Sequence, residues 1–521
     1  MGRHRIKILT GFVRSIGIIT IITVLSKLLG LLREVGIGSS FGVGLTTDAF
    51  YAALIIPALL FTSIGVAIQN LFMIEFSAVK EKSEDINEQS KLSSNISNIL
   101  LVVAAIIFTI SFIFTPIIVK VIAPGFTDPE KFNLTVKLTR ILLPTMLIIP
   151  VYQIRASMLR VYNRFVTVSL IDLAFNIFQI LYLLLFADKF GIYGLAYSIL
   201  FAYIFQLAII EIVALRMGFR HKAILNFNDQ HWRTILRLFL PTFVSFGIIQ
   251  VNAMVDKIIA SNLGEGAISA LNYGFMIRNV IYSILISTIL LVVYPVLLKK
   301  KEQKNEKEYN KIGTKTLQAI FVLAMPLSLL LMVFSQPIIR IVFERSEFTS
   351  EATIMTSGVL FYYAIGITFF AIKELLVHVS YTYKNTKMPL LITLIGALLN
   401  IIFSIILKTY MGVNGIALGL AISEFITFVI IMFYTAKNKY LDFSDTYKQL
   451  FIAFLLNLII AVAIYFTYSL IPTSSSKLIE LIYLSVYSII MFIIYILGLH
   501  LSKSTLLTDM ILAIRGDNTD A

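Results

Sequence analysis

The sequence predicts an all-α polytopic membrane protein of about fourteen transmembrane helices, arranged as two six-helix lobes related by a pseudo-two-fold plus two C-terminal helices. Three observations predict it. The composition is 58% hydrophobic and only 14% charged, with a mean hydropathy of +0.90, a balance foreign to soluble domains. Apolar runs of about 20 residues, the length that crosses a bilayer, recur along the whole chain. Four short motifs also repeat in order at a spacing near 222 residues, which marks a duplication.

The runs fall near 12–33, 51–79, 95–122, 134–159, 166–187, 190–215, 236–260, 268–298, 316–343, 354–381, 388–408, 411–436, 450–471 and 478–501. Met1–Lys7 is basic, but the run after it carries no small-residue cleavage site, so it reads as a retained span rather than a signal peptide. Basic residues set the orientation. Twenty-nine fall on the side of the N-terminus, among them Arg3, Lys80, Arg155, Arg160, Arg216, Arg220 and the seven lysines of 299–315; nine, such as Lys120, Lys131 and Arg340, fall opposite. That bias places both termini in the cytoplasm. Five basic residues belong to neither set: Lys27, Arg33, Arg140, Arg278 and Lys373. They are candidates for work inside the membrane. The formal charge of +14 thus follows membrane topology and does not point to nucleic acid. With no cysteine, disulfides and thiolate metal sites are excluded.

The repeat fixes the domain organisation. Ser40–Gly44 aligns with Asn262–Gly266, Gly125–Asp128 with Glu347–Ser350, Phe175–Ile177 with Leu399–Ile401, and Gly191–Gly194 with Gly412–Gly415. Each unit holds six runs, an even number, so the halves share one orientation. The boundaries read as an N-terminal lobe 1–222, a C-terminal lobe 223–440, and a final segment 441–521 that holds the last two runs and a cytoplasmic tail.

Ser26, Lys27, Gly30, Arg33 and Glu34 close the first run. At the 3.6-residue period Ser26, Gly30 and Arg33 share one stripe, with Lys27 and Glu34 about 100° round from it. Facing lipid, each such charge costs on the order of 2.5–3.5 kcal/mol near the midplane. The sharp reading is therefore the wall of an ion- or phosphate-facing cavity; the bland one is a helix-end anchor with Arg33 and Glu34 reaching the interface. Other runs carry polar stripes: Asp172, Asn176 and Gln179; Asn252 and Asp256 beside Lys257; Asn272 and Asn279 beside Arg278; Lys373, Glu374 and His378; Asn400 and Ser404; and Glu424. Interhelical hydrogen bonding accounts for most uncharged members at about 0.6–2 kcal/mol each. Asp172 and Asp256 lie deep in their runs and need a partner or an ion. Asp256, Asn400 and Ser404 supply hard oxygen ligands that suit a coupling Na⁺ or H⁺. No phosphate-binding glycine loop and no HExxH motif is present, so the chain reads as an ion-energised transporter and not an enzyme.

Ser26–Lys27–x–x–Gly30–x–x–Arg33–Glu34, Phe41–Gly42, Thr47–Asp48–Ala49–Phe50 and Pro57 resemble the opening of the MurJ/MviN lipid II flippases. These belong to the multidrug/oligosaccharidyl-lipid/polysaccharide exporter superfamily. The likeness continues through Ala123–Pro124–Gly125–Phe126, Asn163–Arg164–Phe165, Ser269–Tyr273 and Phe343–Glu344–Arg345, and covers roughly residues 12–440. It implies export of an undecaprenyl-pyrophosphate-linked glycan precursor, lipid II above all, across the bacterial cytoplasmic membrane by alternating access. Its partners would be that lipid-linked glycan and membrane lipids. The substrate-binding set would be Ser26, Lys27, Arg33, Glu34, Asp48, Arg278 and Lys373, in a cationic cavity between the lobes, with the prenyl tail in a groove bordered by the last two helices. Asp256 and Asn400 match positions that look like a Na⁺ site in some members; no other cofactor is implied.

The chain departs from the family where it usually carries Asn and Arg after Pro57: Ala58 and Phe61 stand there. The family arginine of the eighth run falls at Met276, two residues before Arg278. In the tenth run the family lysine falls at Glu374, beside Lys373, and a frequent arginine at His378. Two further readings stay open: a flippase for another lipid-linked polysaccharide unit, and a cation-coupled solute antiporter built on Asp48, Asp172 and Asp256. A non-transporting scaffold would instead neutralise its intramembrane charges in pairs.

Overall fold

The computed structural model describes residues 2–57, 64–443, 446–469 and 476–501, and all of its regular structure is helical. Ala58 and Phe61 lie outside the described residues. Among the described residues there are nineteen helices, α1 to α19. Ten of the described helical segments are long and apolar enough to cross a membrane, and an eleventh is added if the two bent parts of α12 count as one span, which is compatible with fourteen.

Two compact units are present. The first comprises the chain up to Ser269 together with Ser346–Phe348. It holds α1 (Gly2–Phe41), α2 (Leu45–Ala53), α3 (Ile55–Pro57), α4 (Ile64–Lys82), α5 (Ile86–Ile113), α6 (Thr115–Ile122), α7 (Pro129–Leu142), α8 (Thr145–Val161), α9 (Phe165–Leu185), α10 (Ala187–Arg216) and α11 (Gln230–Ala260). Its core joins Phe72 and Phe76 of α4, Ile96 of α5, Met158 and Leu159 of α8 and Ile235 of α11. The second comprises Ala270–Arg345 and the chain from Thr349 onward. It holds nearly all of α12 (Ala267–Glu302), then α13 (Glu306–Val333), α14 (Ser335–Phe343), α15 (Ser350–Thr382), α16 (Lys387–Met411), α17 (Val413–Lys437), α18 (Thr446–Ser469) and α19 (Lys477–Leu501). Its core centres on α13 and α15, with Leu317, Phe321, Leu375 and Leu376, and takes in Tyr495 of α19. This compactness limit at Ser269 falls beyond the duplication boundary near residue 222, because α11 packs on α4.

The duplication is visible in the backbone. Asn163 and Lys384, Gly191 and Gly412, and Gly218 and Lys439 all have positive φ, between 54° and 88°, and each pair is 221 residues apart. Caps repeat as well. Asp85 and Asn305 accept from the first turns of α5 and α13, and Asp128 and Thr349 from those of α7 and α15. Such caps satisfy amides that have no intrahelical partner.

Several helix boundaries differ from the sequence reading, among them the end of α1 and the starts of α5 and α13. The first helix does not close at Arg33 but continues through Gly36 and Gly38 to Phe41, so neither the charges at 33–34 nor those glycines stop it. The helix of the third run, α5, begins at Ile86, not at 95, because its first turns are polar but buried (Gln89, Ser90, Ser93, Ser94, Asn95).

Candidate functional site

In the first unit the α1 stripe is assembled as its spacing requires. Arg33 Nη1 donates to Asn176 Oδ1 of α9 (3.1 Å), and Asn176 Nδ2 reaches back to the carbonyl and hydroxyl oxygens of Ser26 at 3.4 and 3.5 Å. Ser26 and Arg33 therefore lie on one face, with Gly30 buried between them. Arg33 Nη2 donates to Glu34 Oε1 at 2.7 Å, and the Tyr51 hydroxyl of α2 donates to Glu34 Oε2 at 2.6 Å. The Lys257 ammonium lies 5.8 Å from the Tyr51 ring centroid. Lys27 differs from all of these. It is half-buried, and among the described residues its ammonium has no hydrogen bond and no ion pair.

Asp48 is differently placed. Its carboxylate is 1% exposed and accepts from Lys131 Nζ (2.8 Å), the Gly266 amide (2.8 Å), and the Ser269 amide and hydroxyl (2.9 and 2.6 Å). A carboxylate has about four lone-pair sites, and here all are occupied by protein. Asp172 is matched too: the Tyr152 hydroxyl donates to it and the Arg160 guanidinium is 4.0 Å away. Two of the three acids on which an antiporter reading rests are thus partnered. Asp256 is buried in α11.

In the second unit Arg278 and Glu424 form an ion pair at 2.5 Å, 6% and 5% exposed. Phe370, Phe275 and Tyr363 surround the guanidinium with ring centroids at 5.1, 5.6 and 5.9 Å. Arg278 is committed to this internal pair. Lys373 is half-buried, its ammonium 4.8 Å from the Phe370 centroid, without an ion pair among the described residues. Asn400 and Ser404 are fully buried and share a 3.3 Å hydrogen bond, Ser404 Oγ to Asn400 Oδ1. Asp256 belongs to the first unit and this pair to the second. Among the described residues no three His, Cys, Asp or Glu side chains cluster as a metal site would require.

Sequence reasoning missed the internal pairing of two cations, Lys131 and Arg155. Arg155 was assigned to a cytoplasmic connection, yet it is 1% exposed inside α8. Its Nε donates to Glu211 Oε1 (2.6 Å) and Nη1 to Ser93 Oγ (2.9 Å), while Nη2 lies 3.1 Å from His221 Nδ1. Around it the segment 218–229 lies along the polar face of α5. The amides of Arg220 and Lys222 donate to Ser90 and Ser94, Asn98 donates to the carbonyls of Lys222 and Ile224, and Asn95 pairs with the amide and carbonyl of Asn226. The signal was present in the run of Ser and Asn at helical spacing through 90–98.

Known proteins resemble this chain in sequence and fold. The family described as "Lipid II flippase MurJ" matches residues 37–486. A "Probable lipid II flippase MurJ" of Rhizobium tropici is 27% identical over 417 residues, 78% of this chain and 77% of that protein. One from Rickettsia prowazekii is 26% identical over 445 residues, 84% and 86% of the two chains. Among solved structures, "Lipid II flippase MurJ, inward closed conformation" superposes with a TM-score of 0.78 at 28% identity, covering 92% of this chain and 97% of that one. An inward-facing multidrug resistance MATE family transporter of the MOP superfamily matches at a TM-score of 0.64 and 14% identity, over 79% and 94% of the two chains, which is a likeness of fold alone.

Proposed function

The chain belongs to the MurJ family of lipid II flippases, and from that premise we propose that it moves lipid II from the inner to the outer leaflet of the bacterial cytoplasmic membrane by alternating access. The observation that carries this reading is the α1 stripe. In a helix that enters the membrane, Lys27 offers an ammonium with no partner among the described residues, one position from Ser26 and six from Arg33. Arg33 is held in place by Asn176 and only partly neutralised by Glu34. A diphosphate is a strong acceptor for both cations. Lys373 provides a further cation in the second unit. The membrane potential acts on a moving charge at about 2.3 kcal/mol per 100 mV.

The same reading takes residues 1–222 and 223–440 as the duplicated lobes, 441–521 as the last two helices and tail, and both termini as cytoplasmic. Arg33→Ala and Lys27→Ala should insert normally but fail to support growth when the cell's own flippase is depleted, and outer-leaflet lipid II should not appear. Full complementation by Arg33→Ala would refute the proposal. A second reading, export of a different lipid-linked glycan, is favoured by Met276, Glu374 and His378 standing where the family carries cations. It predicts that the wild-type chain restores another surface polymer and not peptidoglycan.

A further inference from the structure

α15 buries Ala371, Ile372, Leu375, Leu376 and Val379 against its own unit and leaves the opposite stripe accessible: Phe370, Lys373, Glu374, Val377, His378 and Tyr381. Those positions follow the i, i+3, i+4, i+7 pattern of one helix face. A stripe with three ionisable groups, inside a helix apolar enough to cross a membrane, is driven away from acyl chains and toward water or protein. Glu374 lies eight residues from the end of α15, about 12 Å along the helix axis. It is half-buried, and among the described residues its carboxylate has neither a hydrogen bond nor an ion pair.

The neighbouring groups do not neutralise it. The Lys373 ammonium lies over the Phe370 ring. Glu424 on α17 is already tied to Arg278 on α12. From α12, Tyr282 packs on Phe370 with the rings tilted and centroids 4.6 Å apart, and Tyr294 meets the His378 ring edge-on at 5.1 Å; Tyr381 on α15 is 6.1 Å from the same ring. On α13 and α16 the charges are confined to the end turns, Glu306 to Lys315, Lys387 and Lys408, and on α14 the charge is Arg340, which pairs with Glu344 and Glu480. His378 Nδ1 lies 2.8 Å from the Glu374 carbonyl oxygen. A carbonyl only accepts, so Nδ1 carries the hydrogen and Nε2 of the neutral ring keeps its lone pair. One helical turn therefore presents an unpartnered carboxylate and an imidazole with its basic nitrogen open.

We propose that Glu374 and His378 form a proton-binding site on α15 through which export is coupled to proton entry. The site takes a proton from outer-side hydronium, forming an O–H bond on Glu374 with water left behind. After the conformational change the O–H bond of Glu374 breaks as an N–H bond forms on His378 Nε2, and that N–H bond breaks in turn as cytoplasmic water takes the proton as hydronium, leaving both side chains as they began. The coupling rests on the transport reading above, whereas the proton site itself does not.

Infrared difference spectroscopy of the full chain in lipid bilayers, titrated between pH 4 and 9, reads the site without transport. The expected result is a protonated-carboxyl band that titrates in the wild type, is lost in Glu374→Gln, persists at a shifted position in Glu374→Asp, and changes its midpoint in His378→Gln. In proteoliposomes loaded with fluorescent lipid II and a pH dye, an acidic exterior should speed wild-type flipping several-fold and acidify the lumen. Glu374→Gln should show neither response. If the band is the same in wild type and Glu374→Gln, the proton site is overturned, as it is if Glu374 stays ionised to receive an ammonium group of the substrate. If the band behaves as expected but no lipid II moves, the transport reading fails and the site stands. If lipid II moves at a rate indifferent to the pH gradient, the coupling is overturned.

Discussion

Lys131 of α7 donates a 2.8 Å hydrogen bond to Asp48 of α2 where the lysine is 6% and the acid 1% exposed. The same carboxylate receives the Gly266 and Ser269 amides, so one acid ties α2, α7 and the first turn of α12. Removing one partner of such a pair strands the other charge in a dry site and costs about 3–5 kcal/mol. Asp48→Ala should therefore lower stability in detergent by that amount, read as a loss of monodisperse protein on heating. Lys131→Met in the same chain should recover part of it; a double mutant as unstable as the two single losses added would contradict the coupling.

Arg278 and Glu424 allow a sharper test through Gly366. A Cβ at residue 366 would stand 2.4 Å from Glu424 Oε2, displacing the carboxylate from its guanidinium. Overpacking of this kind costs about 1–3 kcal/mol. Gly366→Ala should be destabilising in the wild type and much less so in Glu424→Ala, as measured by thermal unfolding. Equal losses in the two backgrounds would show that the clash lies elsewhere.

Arg33→Lys keeps the charge of α1 but loses the planar fork that reaches Asn176 and Glu34 together. Loss of one charge-assisted hydrogen bond, about 1.5–3 kcal/mol, corresponds to at least tenfold in rate if it acts in transport. The expected outcome is slow flipping by normally inserted protein, measured as outer-leaflet lipid II over time.

His221 gives a pH response of known sign. Partial burial, and next the Arg155 guanidinium, lower its pKa in the folded chain below the ordinary 6.5. The unfolded chain then binds the proton first. The stabilising contribution is present above pH 6.5 and is lost as pH falls through the lower, folded pKa. The effect is small because the burial is only partial. Melting curves from pH 7.5 to 5 should fall more steeply for wild type than for His221→Gln; parallel curves would remove His221 as the cause.

The helical class, the duplication and the α1 stripe were legible because each has a period: twenty-residue runs, a spacing near 222, and the 3.6-residue turn. Gly191 and Gly412, aligned by sequence, adopt φ of 55° and 56°. What stayed illegible was pairing across the fold. Nothing near Asp48 announces Lys131, 83 residues on, and nothing in the eighth run names Glu424 as the partner of Arg278. Charge counting placed Arg155 and Lys131 in connections because a cation beside an apolar run normally reaches water; here each finds an acid inside the protein.

The segment 218–229 is gripped by its main chain. Serine and asparagine side chains of α5 hold amides and carbonyls of Arg220, Lys222, Ile224 and Asn226, while Leu225 and Phe227 project outward. Because a backbone contact does not depend on which side chain is attached, Ala223, Leu225 and Phe227 are positions whose spelling can drift, or be rewritten by an engineer, without loosening the strap. A dye or short epitope tag placed there would report on the protein from a fixed anchorage instead of a swinging tether.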